Sequence, residues 1–215
     1  MKKLLLLSCM LASVLAKAQF LPDFFDVSGR QIVVNDKHTV TGSPFFDDRW
    51  ASGKVSFSNG RSLLVAGMRY NLFTGQLICK VEDVEFALTD PIKEFSLNFP
   101  EDEITREYVF RSIYPDPPGV TKNQFYEVIA SGTHYQLLKH NAKLIKDYYE
   151  YGSAPNKSYR PVTELFVYDV AAGNLISLSN KENPARSIPA ELATLMANKK
   201  NNSEKELASL VIRLK

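Results

Sequence analysis

Residues 54–58 read Lys-Val-Ser-Phe-Ser, residues 61–72 read Arg-Ser-Leu-Leu-Val-Ala-Gly-Met-Arg-Tyr-Asn-Leu, and residues 76–81 read Gln-Leu-Ile-Cys-Lys-Val. Asn59-Gly60 separates the first two runs, Thr74-Gly75 separates the next two, and a further short run, Val84 to Leu88, follows. Val55 and Phe57 alternate with Lys54, Ser56 and Ser58. Neighbouring side chains on a strand point to opposite faces, so this alternation predicts a sheet with one dry face. Asn-Gly is a hairpin signal because both central residues of the tight turn take positive φ. The stretch from Ser52 to Leu88 therefore reads as an antiparallel meander. It sets the expected fold class as mainly β, a curved sheet or partly closed barrel.

The same pattern extends in both directions. Gln31 to Val34 is a strand candidate, Asn35-Asp36 a turn and His38 to Thr41 the returning strand. Phe45-Phe46-Asp47-Asp48-Arg49-Trp50 carries three aromatics, two acids and one base in six residues, the most unusual short cluster. Phe95, Leu97 and Phe99 alternate again. Glu107 to Tyr114 is ended by Pro115-Asp-Pro-Pro-Gly119, which cannot continue a ladder. Gln124 to Ala130 and Thr133 to Leu138 flank a Ser131-Gly132 turn. From Lys139 to Glu150 the period admits helix or strand, and the neighbouring hairpins favour strand. Tyr148 through Pro161 reads as a loop. Glu164 to Val170 and Leu175 to Leu178 make a last hairpin around Gly173-Asn174. A total of about 8–11 short strands is expected.

The end of the chain changes period. Ser187 can cap a helix from Pro189 to Ala197. Ser203-Glu-Lys-Glu206 matches a capping box, in which the Ser hydroxyl and the Glu carboxylate each satisfy an amide of the first turn. Leu207, Leu210, Val211 and Leu214 then follow at helical spacing, with Arg213 and Lys215 near the negative end of the dipole. The expectation is one or two short C-terminal helices. Packing on the sheet is favoured over docking to a partner, because a sheet of this size leaves an apolar face to cover. The organisation expected is residues 1–18 as a signal peptide, 19–186 as an antiparallel β domain and 187–215 as a helical segment packed on it.

The signal peptide rests on Met1-Lys2-Lys3, the apolar run Leu4 to Leu15 and the small residues of Ala16-Lys17-Ala18, an A-x-A cleavage site. The apolar run is shorter than the ~20 residues of a membrane-spanning helix. Cys9 lies too early for a lipoprotein signal. Cleavage after Ala18 would remove Lys2, Lys3 and Lys17, leaving 23 basic against 24 acidic residues. Such a near-neutral chain gives no footing for nucleic-acid binding or a polybasic membrane patch. Only Cys79 would remain, so no intramolecular disulfide is expected. Its alternation with Leu77 and Val81 marks it as a core residue.

No G-x-S-x-G, H-E-x-x-H, P-loop or G-x-G-x-x-G motif is present. His38, His134 and His140 lack metal-ligand spacing. Asp47 and Asp48 are adjacent and would face opposite ways on a strand, so they read as a solvated turn rather than a dyad. Neither a cofactor nor a metal is expected. Trp50, Arg69 and Tyr70 are the candidate binding residues. The single tryptophan is either a stacking platform or packing at the end of the core, and Arg69 either reaches solvent or binds an anion.

Val40-Thr-Gly-Ser-Pro-Phe45, Trp50-x-x-Gly53-x-Val55-x-Phe57-x-x-Gly60, Arg69-Tyr70-Asn71-Leu72 and Ala130-Ser-Gly132 together resemble uncharacterised exported proteins of Bacteroidota. The resemblance implies export and a Gram-negative source. It carries strand and turn residues rather than reactive groups, and so implies no activity. The expected function is a non-catalytic exported binding or accessory protein of the cell envelope, in the periplasm, at the outer membrane or outside the cell. Its partners would be envelope proteins or an apolar ligand. Alternatives are a carrier holding a lipid-like molecule in the curved sheet and a hydrolase using scattered carboxylates. An outer-membrane barrel fits less well, because most runs fall short of the about 9–11 residues of membrane strands.

Overall fold

The computed structural model describes residues 29–31, 40–101, 104–115, 124–148, 156–178, 190 and 204–214. The expected signal segment lies outside them, as does the helix expected at 189–197 apart from Ala190. The described residues form twelve strands and one C-terminal helix. In chain order these are β1 (Gly29–Gln31), β2 (Val40–Thr41), β3 (Ala51–Phe57), β4 (Ser62–Asn71), β5 (Gln76–Val81) and β6 (Val84–Leu88). Then come β7 (Ile92–Glu101), β8 (Ile104–Arg111), β9 (Tyr126–Ser131), β10 (Tyr135–Tyr148), β11 (Asn156–Asp169), β12 (Asn174–Ser177) and α1 (Glu204–Arg213). All twelve strands join one sheet in the order β1-β6-β5-β4-β3-β7-β8-β9-β10-β11-β12, with β2 against β11. Every pairing is antiparallel except β2 with β11, and the sheet does not close.

The meander β3–β6 forms where the alternation places it, with Gly60 and Gly75 at positive φ in its first two turns. The next strand, β7, returns to the far side of β3 rather than beyond β6. Leu88 and Ile92 are four steps apart, a reach of at most about 14 Å. Four inter-strand spacings of a flat sheet span about 19 Å. The short link therefore requires the sheet to twist and curl, as successive strand rotations of about 20–25° allow.

A bulge makes a second departure from simple alternation. Ala51 pairs with Met68 but Gly53 pairs with Val65, so β4 carries one extra residue near Ala66-Gly67. Before it Val65 faces inward; after it Met68 and Tyr70 do. Bulges change phase in this way because two residues oppose one. The inner face of β3–β8 buries Val55, Met68, Tyr70, Leu77, Phe95, Leu97, Phe99 and Phe110, and Phe125 packs among them. Phe95 and Phe110 stack at 4.8 Å between ring centroids.

Strands β10 and β11 are buried on both faces at one end. Leu137 and Val167 pack with Leu207 and Val211 of α1, while Leu138 and Phe166 pack with Tyr114 and Tyr126. The helix thus covers the sheet, as its spacing predicts. Lys139 Nζ donates to Glu204 at its first turn, 2.8 Å away. A Cβ at Gly132 would collide with the Val211 carbonyl, so glycine lets the β9–β10 turn meet the helix end.

The turn and most of both strands expected over 31–41 lie outside the described residues; at the two ends, β1 lies on β6 and β2 on β11. Two expectations are corrected. Residues 156–161 are strand rather than loop, and among the described residues Pro161 occupies a stretch of β11 flanked by β10 alone. An edge tolerates the missing N–H. With β10 and β11 at 14 residues each, the strands are not uniformly short.

Candidate binding site

Strand register lays out the outer face of β3, β4, β7 and β8 in rows. Leu64, Lys54, Ser96 and Val109 form one row, through the pairs Leu64–Lys54 and Ser96–Val109 and the 3.3 Å bond from Lys54 N–H to Ser96 Oγ. Ser52, Asn98 and Glu107 form the next. Opposite Ser52 the β4 bulge supplies only Ala66 and Gly67. Small side chains here, between longer neighbours, leave a recess of about 570 Å³ lined by these rows. That volume lies within the about 300–1,000 Å³ typical of small-molecule sites. Asn98 is among the lining residues, its Oδ1 enclosed by protein, and Leu64 stands 81% exposed on the wall.

Gly53 keeps the floor tight. A Cβ there would collide with the Ser96 backbone and meet the Met68 methyl 2.8 Å away. The strands can approach only with glycine at this position.

Trp50 and Arg69 come together beside the recess. The Arg69 guanidinium lies 4.0 Å from the Trp50 ring centroid and 4.2 Å from that of Phe45, a favourable cation–π geometry. Arg69 Nη2 also donates to both Glu85 oxygens at 3.1 and 3.2 Å. Arg69 therefore neither projects freely into solvent nor awaits an anion: rings and a carboxylate already hold it. Its Nε is buried without a partner. Trp50 packs at the sheet's outer face rather than in the core, touching the position a Gly67 Cβ would take at 3.7 Å.

Tyr70 departs from the other two. It is buried on the inner face against Phe95, Phe110 and Phe125, and burial pushes its phenol well above the ordinary value. Arg69 and Tyr70 are adjacent on a strand and must face opposite ways, so the three candidates cannot form one site.

The Phe45 strap is tied down from the ribbon of β10 and β11. Lys143 Nζ donates to the carbonyls of Ser43 and Phe45, at 2.8 and 2.5 Å. Desolvation lowers the Lys143 ammonium below its usual range, with Asp48 opposing. Leu72 N–H donates to Pro44 O, and Lys143 N–H donates to Leu72 O. Asp47 pairs with Arg49 at 2.8 Å, and the Arg49 hydrogen bond holds its carboxyl below the ordinary range.

Other reactive types are engaged structurally. Burial pushes the Cys79 thiol up to about 12, leaving it a buried neutral group. Glu127 is buried, with Asn141 donating at 2.6 Å and the Lys139 ammonium paired with it at 3.8 Å; desolvation raises its carboxyl nonetheless. Burial lowers His140 against the pull of Glu164. Among the described residues no group of three His, Cys, Asp or Glu is placed to hold a metal. Glu94 and Glu107 both line the recess. The register sets their Cα atoms four residues apart along the ladder, about 13 Å. Glu94 is also bound by Arg111.

The recess residues carry no motif in the sequence. Ser52, Ser96, Asn98 and Glu107 are ordinary outward strand residues until β7 falls beside β3. The one legible hint was the small-residue pair Ala66-Gly67 inside an apolar run. No helix among the described residues is long and apolar enough to cross a membrane. No family model, curated protein or solved structure matches the chain.

Proposed function

We propose that this chain is a non-catalytic, exported binding or accessory protein of the Gram-negative envelope, with the recess on β3, β4, β7 and β8 as its binding surface. The observation that carries the reading is the concavity of about 570 Å³ on the outer face of the sheet, walled by exposed Leu64 and lined by Ser52, Ser96 and Asn98. The engagement of Glu94 by Arg111 favours binding over hydrolysis. The lipid-carrier alternative is less supported, because the inner face is filled by Tyr70, Phe95, Phe110 and Phe125. Export rests on the leader-like residues 1–18 and the A-x-A site.

A photoreactive amino acid at Ser52, in cells of the source bacterium, tests the reading. An adduct that disappears when the crosslinker is moved to exposed Ile212 on α1 supports it; no adduct at Ser52 overturns it. Mass analysis of the envelope fraction should find a mature chain starting at Gln19, and a chain retaining Met1 would refute export by this leader.

A further inference from the structure

We infer that the distal half of the β10–β11 ribbon docks on an anionic membrane surface, with Lys146 and Arg160 at the lipid phosphates and Leu144 entering between them. This contact is separate from the recess and does not depend on it.

Strand register isolates the surface. β9 pairs with β10 only as far as Lys139, and β12 pairs with β11 only from Phe166. Beyond those points the two long strands pair with each other, and β2 meets β11 only at Lys157 and Ser158. Leu138 faces the cluster of Tyr114 and Tyr126. Alternation then puts Ala142, Leu144 and Lys146 on that same side, opposite Val162, Arg160 and Ser158. Leu144 is 49% exposed, and the exposed Lys146 and Arg160 flank it. Arg160 lies directly across the ladder from Leu144, and Lys146 one same-side step along β10.

Charge gives the sign of the partner. Residues 142–148 and 156–162 carry Lys143, Lys146, Lys157 and Arg160 against Asp147 alone, although the whole chain has 26 basic residues against 24 acidic. On the other side of the ribbon Lys157 stands across from Asp147, and Lys143 is bound to the Ser43 and Phe45 carbonyls. Among the described residues no hydrogen bond or ion pair engages the head group of Lys146 or Arg160. The first acid on their side, Glu164, lies nearer the body of the sheet, opposite His140. The fold thus gathers on one side of the ribbon a positive patch that a near-neutral composition conceals.

Leu144 favours a bilayer over other polyanions. A nucleic-acid backbone offers phosphates but no apolar phase, and an acidic polypeptide carries its carboxylates on a wetted surface. At a bilayer the Lys and Arg stems lie along apolar material while their heads reach the phosphates. A leucine between them enters the acyl boundary. A flat side two strands wide suits such a plane and needs no cavity.

Co-sedimentation with vesicles of equal parts phosphatidylglycerol and phosphatidylcholine tests this, using the chain processed as in its source cells. Pure phosphatidylcholine vesicles are the uncharged control. Binding to the anionic vesicles alone, lost in high salt, is expected. Lys146→Gln and Arg160→Gln should each weaken it about fivefold, the scale of one basic charge at an anionic surface. Leu144→Ser should weaken it comparably, which a purely electrostatic contact would not show. Lys205→Gln, at an exposed cation of α1, should leave it unchanged. Circular dichroism matching the wild type would confirm that each variant is folded. Equal binding to uncharged vesicles, no binding to either kind, or equal loss with Lys205→Gln overturns the inference. So does wild-type binding by Leu144→Ser. Displacement from the vesicles by polyglutamate at matched charge concentration would point to an acidic protein and overturn it too.

Discussion

At the scale of single residues, positions 53 and 79 show how neighbouring backbone dictates identity. Gly53→Ala would drive a methyl into the Ser96 backbone. Urea denaturation should report a loss of about 1–3 kcal/mol, the usual cost of overpacking; an unchanged midpoint would refute the tight approach of β3 and β7. Cys79 is buried and its thiol is pushed up to about 12. Iodoacetamide at pH 8 should leave it unmodified until denaturant unfolds the chain, so mass spectrometry of the native protein should find no adduct. Glu127 tests the sign of burial. Its folded value lies above its unfolded one, so its favourable contribution is complete below the unfolded pKa and is lost as pH rises through the folded value. The stability of Glu127→Gln relative to wild type should therefore improve between the unfolded carboxyl value, about 4.3, and neutrality. A difference flat across that range in thermal melts would argue against a desolvated carboxylate.

At the scale of elements, α1 and the β10–β11 ribbon are held by different means. The helix relies on apolar burial, with Leu207 and Val211 inserted against Leu137 and Val167. Val211→Ala should cost about 1–3 kcal/mol, read as a lower urea midpoint. The helix was legible because Leu207, Leu210, Val211 and Leu214 keep a 3.6 period, and β3–β6 because Val55, Phe57 and the Gly turns keep a period of two. Pro161 obscured the start of β11: it breaks a strand in general, and only the partner on one side decides that it is tolerated. The bulge at Ala66-Gly67 hid which way Arg69 and Tyr70 face. A period-two reading alone assigns no phase across an extra residue.

At the scale of the whole molecule, the apolar cluster of β3–β8 is joined to those on β10 and β11 by the strap of Ser43 to Phe46 and the ribbon that grips it. Lys143, Leu72 and Pro44 connect strands far apart in the sheet order. Fluorescence of Trp50, on the first half, and the helical signal of α1, on the second, should lose native character at the same urea concentration. Lys143→Met should pull the two midpoints apart, the Trp50 transition coming first; coincident midpoints in this variant would show that the strap does not couple the halves. Neither this linkage nor the recess could be read from local pattern, since both depend on β7 crossing back to β3. The short step from Leu88 to Ile92 was a clue to curling only once the strand order was known.

The stack of Trp50 on Arg69 has a practical consequence. The chain contains one indole, and it borders the recess with a cation against its ring. Emission from that single chromophore will respond to whatever displaces water or charge next to it. The protein thus comes with its own optical gauge of occupancy, readable without a dye and in competition format against any unlabelled compound.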